Sequence, residues 1–297
     1  MSKTERLEVW KTYKLFIGGQ FPRTESGRTY AVKNPQGKTI ANACLSSRKD
    51  LRDAVVAART ALGGWSSRSG FNRGQILYRM AEMLESRKVQ FREELVAQGQ
   101  SVSAANREIK NTVDRLIYYA GWCDKYQALF SSVNPVASSH YNFSTPEPTG
   151  VVALIAPEEL PLLGLISLLA PCIAGGNTTV ILASEKKPLS AISFAEVLHS
   201  ADVPGGVINI LTGSRQELTS WMSGHMDINA IVASAIEPDH WAAIQQSGAK
   251  SVKRLFNWNK IDLTSAQGQS PYLIMDLQEI KTTWHPIQSI AGSGNSY

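Results

Sequence analysis

Apolar residues in the first part of the chain recur at helical spacing. Residues 47–50 (SRKD) have the pattern of a capping box, and the apolar positions that follow lie three or four residues apart, which predicts an amphipathic helix. The same spacing predicts further helices over about residues 72–89, 91–97 and 113–120. Before them, turns at Gly18-Gly19 and at residues 35–37 predict short strands. We therefore expect residues 1–130 to form an N-terminal helical layer.

From Val151 onward the pattern changes to short, mainly apolar runs, the first of them wholly apolar, that alternate with helical segments. The runs predict strands over 151–155, 178–182, 207–211 and 228–232, with helices over 162–173, 191–199 and 216–222 between them. Continuous apolar strands alternating with helices are typical of a parallel sheet covered on both faces. We therefore expect an α/β fold with a Rossmann-like parallel sheet over residues 150–277. A ligand of such a sheet binds at the carboxyl ends of the strands.

Two segments flank this sheet. Pro135 and residues 144–150 (STPEPTG) bracket a stretch that suits an extended hairpin, so residues 131–149 are predicted to form one. A last apolar strand is predicted over residues 272–275. The remaining residues, 278–297, are expected to form a polar C-terminal tail whose end, AGSGNSY, is disordered.

Composition and charge narrow the class of protein. Of the 297 residues 43% are hydrophobic and 19% are charged, as in ordinary globular proteins. No apolar run reaches the roughly 18 residues that span a bilayer, and the charged N-terminus has no apolar signal core, so we expect a cytoplasmic protein without a membrane partner. The net charge is +5, but the basic residues are spread out. The cluster Lys250, Lys253 and Arg254 is interpreted as a solvated face, and no nucleic-acid partner is expected.

The sequence offers few candidates for catalytic, metal-ligating or phosphate-binding residues. Cys44, Cys123 and Cys172 lie too far apart for a redox pair or a zinc knuckle, and Cys172, within LLAPCIAGG, is interpreted as a buried, inert thiol rather than a reactive one. The five histidines show no metal-ligand spacing, so no metal is expected. No G-x-G-x-x-G follows the first strand, and there is no phosphate-loop lysine. The pattern thus indicates a nucleotide-type fold in which no catalytic residue can be assigned.

Several motifs nevertheless resemble one enzyme family. Residues 150–157 (GVVALIAP), followed by PLL, LAP and GNT motifs, resemble the first strand and helix of the cofactor domain of aldehyde dehydrogenases. The similarity continues through residues 203–213 (VPGGVINILTG), and YKLFIGG and YAGW motifs nearer the N-terminus fit the same family. It covers about residues 10–276 in order and implies the fold of that cofactor domain more strongly than its activity.

The departures from the family pattern bear on activity. The asparagine that donates to the oxyanion in the family corresponds to Glu159, which follows Glu158, and losing one such donor typically costs about 10²–10³ in rate. The lysine that holds the cofactor ribose corresponds to Leu182, and the Gly-Ser turn for the pyrophosphate corresponds to Ala233-Ser234. The general-base glutamate aligns near Ser265, and we expect the catalytic domain with its nucleophilic cysteine to be absent. Adjacent side chains point apart, so the two glutamates are interpreted as a solvated loop rather than an acid–base pair.

Three retained positions are candidates for cofactor binding. By the resemblance, Glu185, Gly206 and Gly213 could contact a nucleotide, and the alternative is that they are scaffold residues, the glycines serving turns. No cofactor is expected to be required, while NAD(P) binding is left open. The chain also resembles the truncated second half of the sixteenth aldehyde dehydrogenase class, including its closing residues 281–286 (KTTWHP).

The leading hypothesis is a non-catalytic subunit or scaffold that forms a homo-oligomer or joins a full-length aldehyde dehydrogenase. The resemblance implies that the hairpin over residues 131–149 contributes the assembly surface. One alternative is that the chain supplies part of a working NAD(P)-dependent site in a hetero-oligomer. The other is a binding module that senses a nucleotide without turning it over.

Overall fold

The N-terminal part of the protein combines a small sheet with a layer of helices. The computed structural model describes residues 9–287; the predicted disordered end, AGSGNSY, lies outside the described residues. The small sheet has the order β1-β3-β2, with β1 parallel and β2 antiparallel to β3. Its strands are β1 (Thr12–Tyr13), β2 (Thr29–Lys33) and β3 (Thr39–Cys44). The helices are α1 (Arg48–Ser66), α2 (Gly70–Ser86), α3 (Lys88–Ala97), α4 (Val102–Ala120) and α5 (Tyr126–Phe130).

The start of α1 confirms the capping box that the sequence predicts. The Ser47 hydroxyl accepts from the backbone N–H of Asp50, and the Asp50 carboxylate accepts from the backbone N–H of Ser47 at 2.7 Å. Leu51, Ala54, Val55 and Ala58, which lie on one side of α1, are buried. The helix therefore begins where its unpaired N–H groups find side-chain acceptors and where its apolar stripe meets the core.

The second half forms the predicted parallel sheet, in the order β10-β9-β6-β7-β8. Its strands are β6 (Val151–Ile155), β7 (Thr178–Leu182), β8 (Ile208–Leu211), β9 (Ala230–Ala233) and β10 (Arg254–Asn257). The connecting helices are α6 (Leu163–Ala174), α7 (Leu189–Ser200), α8 (Arg215–Gly224) and α9 (Pro238–Ala249). All residues of β6 to β9 are buried, which confirms the prediction of a sheet covered on both faces.

The end of the described chain corrects two predictions. The stretch predicted as a strand over residues 272–275 is a single helical turn, α10 (Tyr272–Met275), with Leu273 and Ile274 buried; so short an apolar run has no readable period. The predicted tail begins with a strand, β11 (Gln278–Pro286), which pairs antiparallel with β5 (His140–Pro148). Backbone pairing holds β11 in place although most of its side chains are exposed, so the hydropathy pattern could not indicate it.

The predicted hairpin segment holds β5 and the short strand β4 (Ser132–Asn134), paired antiparallel. With β11 they make a third sheet of order β11-β5-β4. Cross-strand hydrogen bonds link its three strands: Asn134 Nδ2 donates to Ser144 Oγ at 2.9 Å, and the hydroxyls of Ser144 and Thr282 lie 2.8 Å apart. The strand β11 therefore lies at one edge of this sheet and β4 at the other.

The cluster of Lys250, Lys253 and Arg254 is not one solvated face. Lys253 is buried, and its ammonium donates to the carbonyl oxygens of His225 and Ile228. Burial lowers the pKa of this ammonium. Arg254 is half-buried and donates to the hydroxyl of Thr149. Two of the three cations therefore bind neighbouring segments of the fold.

Candidate functional site

The carboxyl ends of the parallel strands surround a cavity of about 390 Å³. In an open parallel sheet this edge is where ligands bind. The loops after β6, β7 and β9 and the amino end of α8 contribute its lining, which comprises Glu158, Glu185, Lys186, Ser214, Arg215, Gln216, Ala235, Glu237 and His240. We refer to this cavity as the crevice.

The Glu158 carboxylate is fixed on the crevice wall by four hydrogen bonds. It accepts from the Ser184 hydroxyl at 2.6 Å, from the backbone N–H groups of Glu185 and Lys186 at 3.1 and 3.0 Å, and from Arg215 Nη1 at 2.9 Å. The side chains of this ion pair are only 19% and 14% exposed. The prediction of a solvated loop is therefore wrong for Glu158, because donors that come from distant parts of the chain converge on it.

The neighbouring Glu159 behaves as predicted. Its side chain is 79% exposed and pairs with Lys187 Nζ at 2.7 Å. The two glutamates contact different partners, so they do not form an acid–base pair.

The environment of Glu158 keeps it ionised. Burial alone would raise the pKa of this carboxyl, but the hydrogen bonds from Ser184, from the backbone of Lys186 and Glu185 and from Arg215 outweigh it and hold the pKa below its usual range. At neutral pH the crevice wall thus carries a fixed negative charge beside the Arg215 guanidinium.

The three predicted cofactor-binding residues lie at different places. Glu185 lines the crevice, where its carboxylate accepts from the backbone N–H of Arg215 at 2.7 Å. It thereby gives a hydrogen-bond partner to an N–H group in the first turn of α8. Gly213 follows β8 at the same edge of the sheet, and a Cβ there would lie 2.9 Å from the backbone nitrogen of Ser46. Gly206 precedes β8 and lies at the opposite edge. The structure therefore does not bring Gly206 together with Glu185.

The first turn of α9 is unsuited to an anion. A helix N-terminus binds anions through free backbone N–H groups. Here Pro238 occupies the first turn and has no N–H, and Glu237 and Asp239 flank it with carboxylates. The turn before it includes Ala235 at φ +51°, a conformation that favours glycine.

The other positions singled out in the sequence are structural. Leu182 is buried in the core. The cysteines Cys44, Cys123 and Cys172 are all buried, which confirms that Cys172 is a buried thiol, and burial raises the pKa of the Cys123 and Cys172 thiols. Near Ser265, where the general-base glutamate of the family aligns, Gly268 packs against the buried guanidinium of Arg115. Within residues 9–287 no group of three or more His, Cys, Asp or Glu side chains could hold a metal ion, and no helix there could cross a membrane.

The comparison with known proteins decides the family. Residues 21–256 match the aldehyde dehydrogenase family. The chain belongs to this family. It is 34% identical over 233 residues to cytosolic 10-formyltetrahydrofolate dehydrogenase of Mus musculus, covering 76% of this chain and 26% of that protein. It is 32% identical over 262 residues to the putative aldehyde dehydrogenase DhaS of Bacillus subtilis, covering 86% and 52% of the two chains.

Solved aldehyde dehydrogenases share the fold. An NAD+ complex of aldehyde dehydrogenase from Bacillus cereus superposes with a TM-score of 0.79 at 27% identity, covering 83% of this chain and 50% of that one. Aldehyde dehydrogenase C of Pseudomonas syringae, a C291A mutant complexed with NAD+ and octanal, gives a TM-score of 0.77 at 31% identity, covering 86% and 51%. The chain thus spans about half the length of these aldehyde dehydrogenases.

The crevice does not fit the dinucleotide that the family implies. A pyrophosphate needs free donors, whereas Glu158 already accepts from the N–H groups of Glu185 and Lys186. A second anionic group at α9 would face Glu237 and Asp239. We therefore derive no hydride-transfer step from these residues.

Sequence reasoning named Glu158 only as the neighbour of Glu159, the departure from the family, and did not identify its partner. Arg215 lies 57 residues further along the chain, in a segment with no recognisable motif, and only the order of the strands brings the two together. Residues 237–239 (EPD), at the start of α9, do indicate a helix beginning in the sequence, since Pro is common in the first helical turn. Their carboxylates also indicate that this helix end repels anions.

Proposed function

We propose that this chain is a non-catalytic subunit of an aldehyde dehydrogenase assembly and that it docks through β11. The observation that carries the proposal is that β11 is an edge strand nine residues long, with exposed side chains on both of its faces. An exposed edge of this length presents unpaired backbone groups to any chain able to add a strand.

Exposed apolar side chains lie on both faces of the sheet formed by β11, β5 and β4. Ile280 and Trp284 lie on one face of β11 and are 56% and 57% exposed. On the opposite face Val133 and Tyr141 are 63% and 47% exposed, and Tyr141 lies against Phe143 with ring centroids 5.6 Å apart. Large exposed apolar side chains clustered on a short sheet are typical of an interaction surface.

The partner that fits this surface is another chain of the same family, either a second copy or a full-length aldehyde dehydrogenase. Antiparallel addition to β11 would extend a sheet that already contains the hairpin predicted to mediate assembly. The resemblance to the second half of the sixteenth aldehyde dehydrogenase class favours the same role.

The charges of the crevice and the burial of the cysteines support the absence of catalysis by this chain. Glu158 is bound to the donors next to β7, and Glu237 and Asp239 flank the amino end of α9. The three cysteines are buried and therefore cannot reach a substrate carbonyl in this conformation.

Native mass spectrometry of the protein purified from its own source tests the proposal. We expect a homo-oligomer or a complex with a full-length aldehyde dehydrogenase. The double variant Ile280→Asp/Trp284→Asp should dissociate the complex, whereas Met226→Asp, at a residue 74% exposed elsewhere on the surface, should not. A strict monomer, or a complex indifferent to the β11 variant, would count against docking through β11.

Mixing experiments separate the two alternatives. If the chain supplies part of a working site, adding it to its partner raises NAD(P)-dependent aldehyde turnover, and Glu158→Ala changes that increase. If it is a nucleotide sensor, calorimetry of the wild-type chain with NAD, NADP or ATP gives binding heats. If calorimetry shows no binding heat at millimolar ligand and turnover is unchanged, both alternatives are excluded and the role of non-catalytic subunit is supported.

A further inference from the structure

We propose that Glu158 is a built-in occupant of the crevice: its carboxylate takes the place of a phosphate group and blocks an anion site that the rest of the fold still provides. The site is independent of the β11 edge, so it can be tested without any partner. The ligand class that the unblocked site would take is a phosphate monoester or inorganic phosphate.

The donors around the Glu158 carboxylate are those that proteins use for phosphate. Two consecutive backbone N–H groups, those of Glu185 and Lys186, point at it from the turn after β7, and the Ser184 hydroxyl donates from the same turn. Consecutive N–H groups in a turn form a concave anion site, and hydroxyl and guanidinium donors commonly complete it. A carboxylate presents two oxygens to such a set where a phosphate presents three.

Arg215 adds the positive charge and an unused donor. Its Nη1 donates to the Ala156 carbonyl oxygen at 3.0 Å and to Glu158, while its Nη2 is buried and has no hydrogen-bond partner among residues 9–287. Its backbone N–H donates to the Glu185 carboxylate at 2.7 Å, and this hydrogen bond fixes the amino end of α8 beside the site. A larger oxyanion than a carboxylate could engage the second guanidinium nitrogen as well.

The charges explain why the occupant must leave before an external anion enters. With Glu158 ionised, the crevice combines Glu158, Glu185 and Glu237 with Lys186 and Arg215, a net negative set. Removing Glu158 balances the remaining charges and frees four donors at once. The cavity of about 390 Å³ accommodates a phosphate group, whereas the carboxylates at α9 still oppose a second one, so the unblocked site selects a single phosphate.

The test compares the wild-type chain with Glu158→Ala, using inorganic phosphate and AMP as the probes. Binding is followed by the amide NMR shifts of Glu185 and Lys186 and by calorimetry. We expect no saturable binding to the wild type at about 10 mM ligand, and at least about tenfold tighter binding to Glu158→Ala, localised to these amides. Inorganic phosphate and AMP should bind with similar affinity if the donors to the phosphate group alone form the site.

Two control variants make the result specific. Glu159→Ala changes the exposed neighbour, which pairs with Lys187 and does not line the crevice, and should behave as the wild type. Glu158→Ala/Arg215→Ala should lose the gained binding. If Glu158→Ala does not fold, Glu158→Ser, whose side chain is too short to reach the donors but stays polar, is titrated instead.

Wild-type binding as tight as that of the variant would overturn the proposal. So would a folded Glu158→Ala or Glu158→Ser chain that binds neither probe. Because no outcome depends on oligomeric state, failure here leaves docking through β11 untouched.

Discussion

The side-chain amide of Asn209 donates a hydrogen bond of 2.8 Å to the carbonyl oxygen of Gly206. The same amide group donates to the Thr179 carbonyl oxygen at 3.0 Å, and its oxygen accepts from the backbone N–H of Gly18 at 2.9 Å. Asn209 is fully buried, and all three bonds of its amide are satisfied by backbone. It therefore joins the N-terminal turn to β7 and β8, and it gives Gly206 a structural role at the edge of the sheet opposite the crevice.

Replacing Asn209 by Asp should destabilise the protein strongly. The substitution removes the side-chain donor to the carbonyl oxygens of Thr179 and Gly206 and buries a carboxyl group, at a cost of about 2–4 kcal/mol. Urea denaturation measures the loss. The control Asn106→Asp, on an exposed position of α4, should change the free energy of unfolding by less than about 0.5 kcal/mol.

Gly206→Ala should also destabilise, by about 2–4 kcal/mol. Gly206 has φ +91°, and an added Cβ would lie 2.5 Å from the carbonyl oxygen of Ala57. Gly27→Ala is the matched control, because Gly27 also has a positive φ, +68°, but its Cβ would meet nothing within 4 Å. The control should cost only the roughly 1 kcal/mol of left-handed strain, and equal thermal stability of the two variants would contradict the steric argument.

The pH dependence of stability should report on Glu158. Because the pKa of this carboxyl is depressed in the folded protein, its contribution is fully present above the ordinary glutamate pKa of about 4.3 and is lost as the pH falls through the lower folded value. Wild type should therefore be more stable than Glu158→Gln at pH 6 to 7, and the difference should shrink as the pH is lowered below about 4. Chemical denaturation of both proteins across this range checks the sign; a difference that grows on acidification would refute it.

Lys253→Met should lower the free energy of unfolding by about 1–3 kcal/mol, because the carbonyl oxygen of Ile228 loses its donor at 2.9 Å inside the protein. The matched variant Lys250→Met changes an exposed residue three positions away and should be nearly neutral. Differential scanning calorimetry of the two variants distinguishes a bound ammonium from a solvated one. Equal melting temperatures would restore the interpretation of this cluster as a solvated face.

The parts of the fold that sequence predicts best are those whose burial is complete. The bounds of β6 and β7 follow from the sequence alone, since both are short runs rich in β-branched and aliphatic residues, preceded by glycine or polar residues and followed by a helical segment. In contrast, α9 was missed because only Ile244 and Gly248 are buried, which leaves no apolar stripe. The edge strand β10 was missed for the same reason: its residues are only partly buried.

The crevice could be predicted only in part. The order of strands and helices predicts that Glu158 and Glu185 meet at one edge of the sheet, since both directly follow parallel strands. Nothing local indicates that the Glu158 side chain turns towards the N–H groups after β7. That orientation depends on Arg215, whose position follows from the packing of α8.

The pairing of β5 with β11 has a consequence for the order in which the chain can fold. Ser144 and Thr282, which share a hydrogen bond, are 138 residues apart, so β5 must wait with one edge unpaired while the whole parallel sheet is synthesised. Contacts of such long sequence separation form late. During that interval a β11 segment from a neighbouring polypeptide competes with the chain's own, and a domain-swapped dimer is the product when it wins. Dilution during refolding should then set the ratio of closed monomer to exchanged dimer.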